Sequence, residues 1–273
     1  MKPIHFLYIL FLTALVSSCE NVVELDLENA KPRLVIEAAI EWPKGSSGNQ
    51  QTITLTTTSG FYDVSTPVVT DATVYVTNSN NTRFDFIDTQ SKGKYTCNNF
   101  VPKIGETYTL TVITNNQTYT ASETLQSVTP ITRIEQNNQG GFTGNDIEVK
   151  AYFNDPSNEN NFYLFHYIYS GKVISNYYAD SDKYYQGNEF FSLTREDDLK
   201  VGDEVTITHF GISERYYNYM NILISVSGGS SGGPFQSPPA TVRGNIINQT
   251  NSENYPLGYF SLSESDTRKY TIQ

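Results

Sequence analysis

A serine set among glycines, two histidines, scattered carboxylate clusters and paired tyrosines are the residues of this 273-residue chain whose types could do chemistry. Gly228-Gly229-Ser230-Ser231-Gly232 fits the pattern G-x-S-x-G, and the next register, ending at Gly233, fits it again. A nucleophile elbow needs a strand before its serine and a helix after it. Here a helical pattern precedes and Pro234 follows, so the stretch reads as a flexible Gly/Ser loop. His166 and His209 stand in strand-like patterns without the H-x-x-x-H spacing or neighbouring thiols of a zinc site. A glycosidase carboxylate pair leaves no spacing signal, and nothing singles one out among the 29 acidic residues. Asp180-Ser181-Asp182 opens like an EF-hand loop, but Tyr184 and Tyr185 stand where Asp/Asn and Gly are needed. The oxygen-rich run from Asn154 to Asn160 suits a turn between strands. No cofactor, metal or enzymatic activity is expected on these grounds.

The tyrosine pairs at 177–178, 184–185 and 216–217 are more telling, because tyrosine offers a large apolar face and a polar tip. Tyr177, Tyr178, Tyr184 and Tyr185 are candidate binding residues. Phe235 joins them, since Pro234, Pro238 and Pro239 restrict the chain around it just after the Gly/Ser loop.

Cys19 has a chemistry of a different kind. Lys2 and the nearly unbroken apolar run from Ile4 to Val16 form a targeting leader, too short for the roughly 20 residues that span a bilayer. The leader ends in Val16-Ser17-Ser18-Cys19, which resembles the bacterial lipobox, where the cysteine thiol takes a diacylglycerol and a peptidase cuts before it. Residues 1–18 are thus expected to be a signal peptide, Cys19 the lipidation site, and residues 19–32, with Glu24, Asp26 and Glu28, an acidic tether. Cys97 is the only other cysteine, so no intramolecular disulfide is available and stability must come from the core. Loss of Lys2 with the leader leaves 17 basic against 29 acidic residues, a net charge of −12, which disfavours nucleic acid as a partner.

The elements that must position these residues are strands. Twenty Tyr and 15 Phe, with abundant Thr, suit pleated, half-buried surfaces. Alternating runs predict strands at 33–40, 51–58, 72–77, 83–87, 94–97, 107–114 and 118–121, the spacing of an immunoglobulin-like sandwich over 33–127. Thr129-Pro130 marks a boundary, with Asn137 to Gly141 a loop beside it. Residues 128–273 are expected to form a second β-rich domain, with strands at 146–153, 161–169, 172–178, 189–193 and 204–210 and a closing pair at 257–262 and 269–272. One helix is expected over 212–226, with Ser213 as its N-cap and Tyr216, Tyr219, Met220 and Leu223 on one face.

A series of segments carries a family resemblance along nearly the whole mature chain. It comprises Asp71-Ala72-Thr73-Val74-Tyr75-Val76, Gly105-Glu106-Thr107-Tyr108-Thr109-Leu110, Phe153-Asn154-Asp155-Pro156 with Asn161-Phe162-Tyr163, and the helix from Ser213 to Tyr219. Gly232-Gly233-Pro234-Phe235 with Pro238-Pro239-Ala240, and Leu257-Gly258-Tyr259-Phe260, complete it. In this order they resemble a family of Bacteroidetes lipoproteins, domain-of-unknown-function family 4249. The Asp71 and Gly105 segments also look like those of immunoglobulin- and transthyretin-like domains. The family resemblance brings no catalytic residues. It implies an outer-membrane lipoprotein, anchored through Cys19, that assists a TonB-dependent receptor in uptake by binding ligand or the receptor itself. The spread acidic residues after Cys19 partly resemble the signal that sends such lipoproteins to the cell exterior. A cell-surface adhesion or structural module, and a hydrolase with unrecognised carboxylates, are the alternatives.

Overall fold

The computed structural model describes residues 31–273 apart from 61, 174, 197 and 228–241. Cys19, the leader, most of the tether, the Gly/Ser loop and Phe235 therefore lie outside the described residues.

The described residues are all-β with one long helix, as expected, and their strands form three sheets. A five-stranded sheet runs in the order β14 (Ile247–Asn248), β7 (Gln117–Thr124), β6 (Thr107–Thr114), β3 (Thr73–Asn78) and β4 (Arg83–Phe86). A three-stranded sheet is made of β12 (Glu189–Arg195), β9 (Asp146–Asn154) and β8 (Ile131–Gly140). Both face the third, a seven-stranded sheet: β11 (Ser175–Ser181), β10 (Phe162–Tyr169), β13 (Glu204–Ile212), β15 (Leu257–Thr271), β1 (Leu34–Pro43), β2 (Gln51–Thr57) and β5 (Lys94–Cys97). Its strands come from both sides of residue 128.

Alternation of side chains builds the two cores. Ile36, Ala38 and Ile40 of β1, with Ile53, Leu55, Tyr95 and Cys97, meet Val74, Val76, Tyr108, Leu110 and Val112 of the five-stranded sheet. Cys97 is a small buried residue of this first core. The second core joins Tyr163, Phe165, Tyr167, Val205 and Ile207 to Val149, Ala151 and Phe153 of the three-stranded sheet. β15 serves both: Phe260 and Leu262 enter the first, Tyr270 packs on the second, and Ile272 just beyond the strand completes it. It pairs in parallel with β1 from Leu257 to Ser265 and antiparallel with β13 from Ser265 to Thr271.

Two expectations are corrected here. The closing strand pair is one 15-residue strand, because the polar middle of β15 is not a turn. Its Glu264 and Asp266 are buried acceptors instead: Glu264 takes Val128 N (2.9 Å) and Lys44 Nζ (2.7 Å), and Asp266 takes Ile131 N (2.8 Å). These bonds pin the segment around Thr129-Pro130. Residues 137–140, read as loop, extend β8 through a bulge between Asn137 and Gly140. Glu148 of β9 anchors that end by accepting Gly141 N (3.0 Å) and pairing with Arg195, which holds its carboxyl down at about 2.

Candidate functional site

The helix α1 (Glu214–Ser227) starts where expected: Ser213 Oγ accepts the N–H of Tyr216 at 3.2 Å. It lies on the outer face of the seven-stranded sheet, where Met220 packs with Leu164, Phe210 and Ile212. Tyr216, Tyr219, Leu223 and Ile224 fall on the same side at three- and four-residue steps. The helix does not close onto β1 and β2. A cleft of about 730 Å³ remains between them, with an adjoining recess of about 150 Å³ reaching toward β10.

The outward residues of β1 (Val35, Glu37, Ala39), Thr52 and Thr54 of β2 and Gly258 and Ser261 of β15 floor this cleft. Tyr216, Tyr219, Leu223 and Ile224 form its helical wall. Tyr259 closes one end, its ring centroid 4.7 Å from that of Tyr216 and 4.6 Å from that of Tyr219. At the other end Tyr177 stacks on His166, with ring centroids 4.0 Å apart and planes 7° from parallel. Glu41, Ser263, Leu164 and Phe210 line the recess beyond.

The ionisable groups lining cleft and recess are Glu37, Glu41, His166 and the four tyrosines; among the described lining residues there is no Lys or Arg. The protein around Glu41 displaces water and raises its carboxyl above the ordinary range. Burial likewise lowers His166, favouring the neutral ring, and pushes Tyr216 up to about 12. The arrangement offers aromatic faces, hydroxyls and two carboxylates, and it can hold a ligand.

Of the residues chosen from sequence, Tyr177 belongs to this cleft. Tyr178, its neighbour on β11, points to the opposite face and meets Tyr167 edge-on at 5.6 Å. Tyr184 is 88% exposed in the turn after β11. Tyr185 is not a surface anchor. It is buried and stacks on Phe190 at 3.8 Å, a correction that follows from the 3-10 turn at Asp182–Tyr184, which turns adjacent side chains to different sides. From sequence, Tyr216 reads as part of a tyrosine pair and of a helical face, and Tyr219 as part of that face, but neither is chosen as a binding residue. Glu37 and Glu41 carry no signal, and Tyr259 stands out only within a family segment, since a strand residue's facing partner is set by sheet order.

The acidic loops hold the backbone. Asp155 accepts the Tyr163 hydroxyl (2.6 Å) and Gly187 N (2.9 Å), and Asp182 accepts Asn161 N (2.7 Å).

A model of the family described as Domain of unknown function (DUF4249) matches residues 20–269. Comparison with curated proteins gives no match. Among solved structures, a two-domain fibronectin type III segment of chicken tenascin is 10% identical, with a TM-score of 0.22, covering 67% of this chain and 91% of that one. A DUF4785 family protein from Legionella pneumophila is 8% identical, with a TM-score of 0.25 over 65% of this chain and 52% of its own. The FN1-FN3 domains of chicken CNTN1 are 14% identical, with a TM-score of 0.26 over 67% and 60%.

Proposed function

Because the chain belongs to the DUF4249 family, we propose that it is a non-enzymatic, lipid-anchored outer-membrane protein that binds a ligand beside a TonB-dependent receptor. The observation that carries the reading is the cleft under α1. Its volume is within the roughly 300–1,000 Å³ of small-molecule sites, and apolar walls surround a few polar groups. Val35, which lines the cleft, is the second residue of β1 and lies three residues in sequence past the end of the expected 19–32 tether. A short tether on a lipid anchor would keep a bound ligand and a neighbouring receptor at high effective concentration.

Binding rather than hydrolysis is favoured by the spacing of the two carboxylates. Glu37 and Glu41 stand four residues apart on one strand, about 13 Å along an extended backbone, against about 5 to 9.5 Å between paired glycosidase carboxyls.

The lipid anchor has a sharp test. Cys19→Ala is expected to abolish labelling by a fatty-acid analogue and to release the protein from membranes, since the diacyl group supplies the stable hold. Labelling retained in that variant removes the anchor from the proposal. For the binding role, protein purified from native membranes should release a small molecule on denaturation, and Ala39→Trp, which fills the cleft, should arrive empty. Mild-detergent affinity purification should recover a receptor barrel in near-equal amount. Recovery of the protein alone under several detergents and crosslinkers leaves the receptor pairing without support.

A further inference from the structure

The ligand-binding reading leaves open what chemistry the cleft selects, and the charge of its lining is one-sided. Glu37 stands in the cleft and Glu41 in its recess, and both residues keep exposed surface that a ligand can reach, although the protein around the Glu41 carboxyl partly displaces water from it. No Lys or Arg answers them among the described lining residues, and Arg215, the only basic residue of α1, is exposed and outside the lining. Some carboxylates elsewhere on the surface do pair with a basic residue, as in Arg83–Asp85 and Lys269–Glu204. The cleft walls add tyrosines 177, 216, 219 and 259, whose ring faces carry the negative side of the aromatic quadrupole.

We propose that the cleft binds an organic cation, an amine- or guanidinium-bearing molecule whose charge lies between Glu37 or Glu41 and the tyrosine walls. This rests on the ligand-binding reading and narrows it to a chemical class. A neutral sugar would use the rings and hydroxyls but leave both carboxylates unanswered. An anion would meet a like charge at Glu37 in the cleft and at Glu41 in the recess, and juxtaposed like charges oppose binding. An ammonium or guanidinium group answers both features, because carboxylate pairing and cation–π attraction act on the same charge. The aliphatic part of such a ligand would lie along Leu223, Ile224 and Val35. The acidic net charge of the chain would also draw it in from solution.

The test titrates the purified mature protein with spermidine and with a trilysine peptide, each against its fully N-acetylated counterpart. Salt at about 0.15 M screens charges beyond roughly 8 Å and suppresses diffuse attraction to the acidic surface. The cations should bind at least tenfold more tightly than the acetylated molecules. Ala39→Trp should abolish that binding, and Glu37→Gln with Glu41→Gln should weaken it tenfold or more, with melting temperatures unchanged because all three residues lie on the outer face of β1 and keep exposed surface. Acetylated probes that bind equally well and are blocked by Ala39→Trp would overturn the cation while leaving a ligand cleft. Binding insensitive to Ala39→Trp, or no binding by any probe, would overturn the inference too. Release of a small molecule from the native protein stands apart from all of these as the test of the cleft itself.

Discussion

Alanine at position 258 is expected to cost more than about 4 kcal/mol of stability, or to prevent recovery of folded protein altogether. Gly258 has φ +93, a backbone region that side chains disfavour, and an added Cβ would stand 2.0 Å from the carbonyl oxygen of Ile36. Ile36 is its partner in the β1–β15 register, so the clash falls on the ladder that joins the two halves of the large sheet. The other edge there offers no slack. Asn245 uses both ends of its side-chain amide on the backbone of Phe260, at 2.8 and 2.9 Å, and a Cβ on Gly244 would stand 1.7 Å from the Gly258 carbonyl. Gly202→Ala is the control. Its φ is +96, but nothing lies within 4 Å of an added Cβ, so only the conformational cost of about 1–2 kcal/mol remains. In thermal unfolding a 4 kcal/mol loss corresponds to about 8–16 °C for a protein of this size. Equal losses in the two variants would show that the close approach at Gly258 is not what holds β15 in place. Because Gly258 also floors the cleft, the residue is needed for the site as much as for the sheet.

The second large effect is a loss of stability in mild acid that depends on His209. This ring is fully buried, lies flat against Phe165 at 4.2 Å, and has Phe153 and Tyr163 at 4.7 and 4.9 Å. Neither nitrogen makes a well-formed hydrogen bond among the described residues, and burial, opposed only by a contact with the Thr129 backbone, lowers its titration to about 3. The folded form thus holds His209 neutral while the unfolded chain takes up a proton near pH 6.5. Stability from this source is complete above pH 6.5 and is lost progressively as pH falls from there toward 3. Between pH 7 and pH 5 the loss is about 2 kcal/mol, at 1.4 kcal/mol per pH unit below 6.5. His166, also lowered by burial, contributes in the same direction. Glu148, held at about 2, titrates below this window. Denaturant unfolding at pH 7 and pH 5 should therefore show a drop that His209→Leu largely removes. A drop that is the same in the variant would mean that other groups carry the acid sensitivity.

Much of this architecture is written in local patterns, because local patterns follow from the period of each element. Alternating Tyr108, Leu110 and Val112, or Ile53 and Leu55, mark strands with one face in a core. Ser213 marks the helix start and Tyr216, Tyr219, Met220 and Leu223 its inward side. The buried acidic residues of β15 misled for a local reason too. Ser263 to Asp266 reads as a turn unless the backbone N–H groups of Val128 and Ile131, some 135 residues away, are known to need acceptors.

The sequence by itself determined the all-β composition, the helix with its cap, the acidic balance and the cysteine economy, each a property of neighbours along the chain. Only the tertiary structure decided that β15 runs through both cores, that Tyr185 turns inward, and that Glu37, Tyr177, Tyr216 and Tyr259 share one cleft. Sheet order is set by which strands bury each other's edges and faces, a condition satisfied across the whole chain at once. Residues 37, 177, 216 and 259 become neighbours only when β1 pairs with β15, β15 with β13, β13 with β10 and β10 with β11.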